Sequence, residues 1–225
     1  MQLVSFFQTY TYLLWVCFLT IPWIFIFFNK ETNKREMLSI GTLFGILAVM
    51  IGKRYSLLDY WHPNYILFPL EDFLYAFLFS GIITEWYKFF FSFSKNKPGQ
   101  KHYIFAWMSL FITVISFILI TDILGFNSFF SYIMAPILIG IFIAIKKPQI
   151  FKIQVLSALF ATILTFIIFQ ILLLVNPDFV MTTWKIEKLS GILFLSIPIE
   201  EYIFAFSLGF GLSLFYKFIS GRELE

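Results

Sequence analysis

Long apolar runs separated by short polar loops dominate this sequence. Seven runs reach or approach the roughly 20 residues that an α-helix needs to cross a hydrocarbon core. They are residues 10–28, 38–51, 69–91, 103–120, 129–145, 153–175 and 192–219, and the second is short because Lys53 and Arg54 follow it. Strands of a membrane β-barrel are about half as long and alternate in polarity. The pattern therefore predicts an all-α membrane protein with about seven transmembrane helices.

The composition strengthens this prediction and excludes other classes. Of the 225 residues, 60% are hydrophobic and only 13% are charged, whereas soluble domains carry about a quarter charged residues. A soluble enzyme, a disordered tail and a nucleic-acid binder are thereby excluded. A single cysteine, Cys17, excludes a disulfide framework and a cysteine-based metal site. Two histidines, His62 and His102, argue against a histidine-built metal site.

The loop charges predict the orientation in the membrane. The loops on the side of the N-terminus carry four basic residues, Lys53, Arg54, Lys185 and Lys188, and the other side carries the remaining twelve of the sixteen. Positive residues collect on the cytoplasmic side. We therefore expect a multi-pass protein with the N-terminus outside and the C-terminus in the cytoplasm, in the cell (inner) membrane if the source is bacterial.

Two acidic segments repeat at an offset of 129 residues. Residues 68–77 read Phe-Pro-Leu-Glu-Asp-Phe-Leu-Tyr-Ala-Phe, and residues 197–206 read Ile-Pro-Ile-Glu-Glu-Tyr-Ile-Phe-Ala-Phe. Proline suits the first position of a helix, because its missing N–H is not needed there. Pro69 and Pro198 are therefore each expected to open a membrane helix with two acids in its first turn.

The offset pairs the first three helices with the last three and leaves the fourth as a linker. This 3+1+3 plan divides the chain into a first three-helix repeat at residues 1–94, a linker helix at 95–126 and a second repeat at 127–225. Because the offset is an even number of spans, the halves have the same orientation, as in parallel transporter repeats. Both acidic motifs are then expected at one depth, where they could form one site.

Four carboxyl groups in membrane helices require an explanation, because an acid near the bilayer centre costs about 2.5–3.5 kcal/mol. Acids also stabilise helix N-termini by interacting with the helix dipole, so capping is one interpretation. Paired acids behind proline in both halves favour shared chemistry instead. Glu85 is a different case, because it lies three residues before Lys88 and is expected to form an ion pair at the end of its helix.

The doubled Pro-apolar-Glu-acid motif resembles the integral-membrane lycopene cyclases. The resemblance extends over nearly the whole chain and is most specific at residues 68–75 and 184–206, where Gly191 also follows the family's spacing. It is similar to the fused form of the two-subunit actinobacterial type and to the cyclase domain of the fungal bifunctional carotenoid enzyme. The resemblance implies catalytic roles for Glu71, Asp72, Glu200 and Glu201, with Pro69, Pro198 and Trp184 in support.

The family's chemistry is the acid-catalysed cyclisation of linear carotenoid ends, an isomerase or intramolecular lyase reaction that is redox-neutral. It needs an acid, a base and a dry pocket, with no cofactor and no metal. The resemblance therefore implies a polyene substrate such as lycopene, a lipid bilayer around the protein and no nucleic acid. It also allows for an oligomer or for contact with other carotenoid-pathway enzymes.

Two alternatives stay open at the level of sequence. Glu200-Glu201 superficially matches intramembrane proteases of the Glu-Glu-x-x-x-Arg type, but Ala205 occupies the position of the arginine and no histidine follows His102. The acids could instead bind a cation in a non-enzymatic transporter or assembly partner, because transporters also use parallel repeats.

Overall fold

The computed structural model describes residues 2–54, 60, 69–90 and 101–221. For residues 2–9 and 53–54 it describes the backbone only. Several features of the sequence analysis lie outside these residues. They are Phe68 of the first motif, His62, the loop lysines Lys95 and Lys97, and the predicted boundary between residues 94 and 95.

Helices make up nearly all of the described chain. They are α1 Gln2–Phe27, α2 Lys34–Arg54, α3 Leu70–Glu85, α4 Tyr103–Ser116, α5 Ser128–Lys146, α6 Phe151–Val175, α7 Phe179–Thr183, α8 Ile199–Leu212 and α9 Phe215–Ser220. Two short strands, β1 Leu193–Phe194 and β2 Ile197–Pro198, precede α8. The predicted all-α class is confirmed.

Six helical segments of the described residues are long and apolar enough to cross a membrane. They correspond to all predicted runs except 69–91. In that run, the 16 residues of α3 continue into a 3₁₀ turn, Trp86–Phe89. The α-helical and 3₁₀ residues together extend roughly 30 Å. The chain is thus a multi-pass membrane protein.

The second helix is longer than the sequence predicted. α2 runs over 21 residues from Lys34 to Arg54, so Lys53 and Arg54 are its last two residues. Lysine and arginine are good helix formers. The basic pair therefore follows the apolar run while still belonging to the helix.

The last apolar run, 192–219, contains a hairpin ahead of the helix that Pro198 is expected to open. Its first residues form a tight antiparallel hairpin in which Leu193 pairs with Pro198 and Phe194 with Ile197. Leu195 and Ser196 have φ values of 50° and 64°, the left-handed conformation that a two-residue hairpin turn requires. The helix begins only at Ile199 and is interrupted again between α8 and α9.

The two motif prolines lie one position earlier than predicted. Pro69 and Pro198 are the residues that precede the first helical residue of α3 and of α8. Neither helix has a side-chain capping hydrogen bond at its preceding proline position. The two acids of each motif still fall in the first turn, where the helix dipole favours them.

In each half, the helix that begins with the acidic motif packs against two others. α3 contacts α1 and α2, α8 contacts α5 and α6, and α3 also contacts α8. Glycines allow the close approach: Gly45 of α2 faces the ring of Phe73, and a Cβ at Gly209 of α8 would come 2.5 Å from the Ser157 carbonyl oxygen. Small residues of this kind let helix backbones approach in membranes.

The predicted linker helix is part of the packed structure. α4 continues through a π-helical segment, Phe117–Ile123, and packs against α5 and α9. Ala106, Ser109 and Thr113 of α4 face the interior of the protein, where they line a cavity. The linker therefore closes one side of the space between the two halves.

Candidate functional site

A cavity of about 550 Å³ lies between the two halves and contains one acid from each motif. Its lining comes from α1 to α5, α8 and α9, and is mostly apolar. Along α8 and α9 the lining extends from Glu201 to Ile219, which is roughly 25 Å at the rise of an α-helix. The cavity is thus long, and its carboxyl groups, Asp72 and Glu201, both lie at the end where α3 and α8 begin, which we call the motif end.

The second acid of each motif faces this cavity, and the first does not. Asp72 and Glu201 belong to the lining, whereas Glu71 and Glu200 do not. Consecutive residues of an α-helix point about 100° apart, so the two members of each pair have different surroundings. Asp72 and Glu201 are 129 positions apart, so the structure brings repeat-equivalent carboxyl groups into one space.

Tyr12 holds the carboxyl group of Asp72. Its hydroxyl donates a hydrogen bond of 2.5 Å to Oδ1 of Asp72, which is at the short end of the range for such bonds. Tyr12 is a buried residue of α1, and α1 packs along α3. The bond fixes one oxygen of Asp72.

Trp184 has the corresponding role at Glu201. Its indole Nε1 donates a hydrogen bond of 2.8 Å to Oε1 of Glu201, and both side chains are buried. Phe169 and Phe179 pack against the indole with ring centroids 5.5 and 5.4 Å away. Sequence reasoning had singled out Trp184 as a supporting residue, and the structure places it in direct contact with a motif acid.

The first acids lie within the protein matrix. Glu71 is fully buried. Glu200 accepts a 2.5 Å hydrogen bond from the backbone N–H of Ser190. Through this bond the start of α8 holds the segment that leads from Trp184 to the hairpin.

Aromatic side chains surround the two cavity-facing carboxyls. Trp15 and Tyr75 line the cavity and meet edge to face at 4.9 Å, and Phe79 stacks on Tyr75 at 5.7 Å. Sequence reasoning missed Tyr12, Trp15 and Tyr75 as site residues. Nothing marks them among so many aromatic residues, except that Tyr75 lies one helical turn after Asp72 on the same side of α3.

A second group of buried charges lies at the opposite end of the helices. We call Glu36, Glu85, Lys88 and Lys217 the opposite-end cluster. Glu85 forms the predicted ion pair with Lys88 and also accepts a 2.7 Å hydrogen bond from the backbone N–H of Asn33. The side-chain amide of Asn33 donates a 3.3 Å hydrogen bond to Glu36, so one residue links the two carboxyls.

Lys217 completes the cluster from the second half of the chain. Its ammonium lies 4.4 Å from the centroid of the Tyr87 ring and attracts the carboxyl of Glu36 electrostatically. The burial of this cluster was not predicted: Glu36 and Glu85 are fully buried, and Lys217 is only 5% exposed. Only the local pairing of Glu85 with Lys88 was visible in the sequence.

The described residues contain no group of three or more His, Cys, Asp or Glu side chains that could hold a metal ion. At the motif end, carboxyl groups border an apolar, elongated space, where they can exchange a proton with a bound molecule. Hydrogen bonds from neutral donors hold both carboxyls there.

Comparison with known proteins gives one family. Residues 127–219 match the family model described as lycopene cyclase. The matched segment contains Trp184, Pro198, Glu200 and Glu201, and it begins where the second predicted repeat begins. No curated protein and no solved structure matches the chain.

Proposed function

We propose that this protein, whose residues 127–219 match the lycopene cyclase family model, cyclises the linear ends of a carotenoid such as lycopene by acid catalysis. The observation that carries the proposal is the meeting of Asp72 and Glu201 in one long apolar cavity. A polyene is apolar and elongated, so it suits this lining. The reaction would be a redox-neutral isomerisation of the intramolecular lyase type.

The two cavity carboxyls provide the acid and the base that such a reaction needs. One carboxylic acid gives its proton to the terminal double bond, which leaves a tertiary carbocation. The neighbouring double bond attacks this cation, so that a carbon–carbon bond closes a six-membered ring and the positive charge moves into the ring. The other group, as a carboxylate, removes a ring proton and a double bond forms. No electron is gained or lost, and one proton enters as one leaves.

The walls of the cavity suit a cationic intermediate. Trp15, Tyr75 and Phe204 line the cavity near the two acids, and the faces of aromatic rings attract cations. The apolar lining would also keep water from the cation. Water capture would otherwise give an alcohol instead of a ring.

Glu71 and Glu200 act as supports in this scheme. The contact of Glu200 with the Ser190 N–H would hold the segment that carries Trp184, and Trp184 in turn orients Glu201. The prolines at positions 69 and 198 fix the entrance to each helix. These residues set where the cavity-facing acids point.

In the membrane, we propose the orientation predicted from the loop charges, with the N-terminus outside and the C-terminus in the cytoplasm. The motif end would then face the outer side. A cysteine introduced into the α1–α2 loop, for instance at Lys30, is expected to react with a membrane-impermeant reagent only after the cells are opened. Labelling of intact cells would reverse the orientation.

Expression in a bacterium that accumulates lycopene, followed by pigment analysis, tests the proposed activity. The wild-type protein is expected to convert linear pigment into cyclised product, and a Asp72→Asn, Glu201→Gln double variant is expected to leave it linear. Unchanged pigment with an inserted, intact wild-type protein would overturn the proposal. Proton- or cation-coupled flux in vesicles would in that case identify the transporter alternative.

A further inference from the structure

One pair of repeat-equivalent positions in the cavity lining differs by a single hydroxyl group. Tyr75 lies three residues after Asp72 in α3, and the residue that corresponds to it in α8, 129 positions later, is Phe204. Both rings line the cavity. The repeat therefore presents an oxygen atom on one side of the site and only carbon on the other.

The Tyr75 ring is held firmly and its hydroxyl is available. Trp15 contacts its edge and Phe79 stacks against it. Asp72, Tyr75, Ala76 and Phe79 form one cavity-lining face of α3, as residues three and four apart on a helix do. Asp72 and Glu201 line the same cavity as Tyr75, so the phenol shares one space with both carboxyls.

The proposed cyclisation leaves a problem that such a hydroxyl can solve. After each ring closes, the acid has become a carboxylate and the base has become a carboxylic acid. A second turnover requires the proton to return to the acid. Bulk water could supply it, but water in the cavity would also quench the carbocation.

We propose that the Tyr75 hydroxyl carries this proton between the carboxyls of Asp72 and Glu201, so that the site is reset without admitting water. The phenol oxygen accepts the proton of the protonated base while the phenol O–H proton passes to the other carboxylate. The tyrosine is unchanged after the transfer, and no proton is consumed. This inference rests on the proposed cyclase function.

A relay that works after ring closure has a kinetic signature. With Tyr75→Phe, the first ring should form at the wild-type rate, because the acid starts protonated. Later turnovers should slow by at least about tenfold, within the range for assisted proton transfer. Product formation should therefore show a burst of about one ring per protein, followed by a slow phase.

The experiment is rapid-mixing measurement of ring formation from lycopene by the purified full-length protein in lipid nanodiscs. Tyr103→Phe is the matched control, since Tyr103 is exposed on α4 and does not belong to the cavity lining, and its variant should show no burst. A Tyr75→Phe variant without a slow second phase, or with an equally slow first turnover, would overturn the relay while leaving the cyclase proposal standing. Failure of the wild-type protein to form any ring would overturn both.

Discussion

Buried carboxyl groups occur at both ends of this helix bundle, and their surroundings differ. At the opposite-end cluster, Glu85 pairs with the Lys88 ammonium and Glu36 is attracted by Lys217. At the motif end, Asp72 and Glu201 instead receive hydrogen bonds from the neutral Tyr12 and Trp184 side chains. Only the motif-end pair opens into the cavity.

The difference in surroundings distinguishes buried acids that stabilise the fold from buried acids that are available for proton transfer. Lysines that balance buried carboxylates hold helices together, because separating such a pair leaves an uncompensated charge. A carboxyl held by a neutral donor beside an apolar cavity keeps its capacity to exchange a proton with a ligand. Sequence position alone does not make this distinction, because both groups lie at helix ends.

Neutralising the cavity-facing acids is the strongest test of the difference between the two ends of the bundle. Asp72→Asn and Glu201→Gln should each lower ring formation by about 10²-fold or more, because each removes a group that transfers a proton in the proposed reaction. Pigment analysis of inserted, purified variants measures the loss. Glu187→Gln changes an exposed loop acid and should have no effect, and near-normal rings from the doubly substituted protein would contradict the mechanism.

Removing the neutral donors should have the next largest effect on ring formation. Tyr12→Phe and Trp184→Phe each delete a hydrogen bond to a carboxyl, a change of about 1.5–3 kcal/mol when the acceptor is charged, which corresponds to about a 10- to 100-fold loss of rate. The matched control is Trp23→Phe, because the buried Trp23 Nε1 has no hydrogen-bond partner within the described chain. Equal losses in all three variants would mean that packing, not carboxyl orientation, matters.

The first acids of the motifs should matter less. Glu71→Gln and Glu200→Gln both change groups that lie outside the cavity lining. Glu200→Gln also keeps an acceptor for the Ser190 N–H. Loss of the charge from one hydrogen bond weakens it by about 1 kcal/mol, so ring formation should fall by less than about tenfold. A loss as large as that of Asp72→Asn would reassign the catalytic pair.

The opposite-end cluster should show the smallest effect on catalysis and a large one on stability. Glu85→Gln removes the ion-pair partner of the half-buried Lys88 and should lower the free energy of unfolding by about 3 kcal/mol, the low end for a buried ion pair. Rings formed per folded molecule should not change. Thermal unfolding in detergent checks the first expectation, and Glu31→Gln in the exposed α1–α2 loop is the control that should leave stability unaltered.

Much of the helix plan could be predicted because apolar length is a strong signal. The hairpin at 193–198 could not, since Leu195-Ser196 is not one of the glycine- or asparagine-containing pairs that mark such turns. Its apolar residues also continue the hydrophobic run of α8. Hydrophobicity therefore concealed a change from strand to helix.

The acidic motifs could be found in the sequence, but the acid that faces the cavity could not. This depends on how α3 and α8 are rotated about their axes, which is set by close contacts such as Phe73 on Gly45. Tyr12 and Lys217 were missed for a related reason. Their partners are remote in sequence, and only the packing of α1 on α3, or of α9 near α2, brings them together.

The cavity wall between α2 and α4 determines how the substrate concentration should be expressed when the activity of this protein is measured. Leu43, Trp107 and Leu110 line the cavity and are also exposed, so on this side the cavity borders the surrounding bilayer. Acyl chains would then compete with the proposed polyene substrate for the same volume. Saturation of the protein with substrate is therefore governed by the mole fraction of substrate among the lipids. Adding phospholipid at a constant bulk concentration of substrate should lower the rate in the way that a competitive inhibitor does.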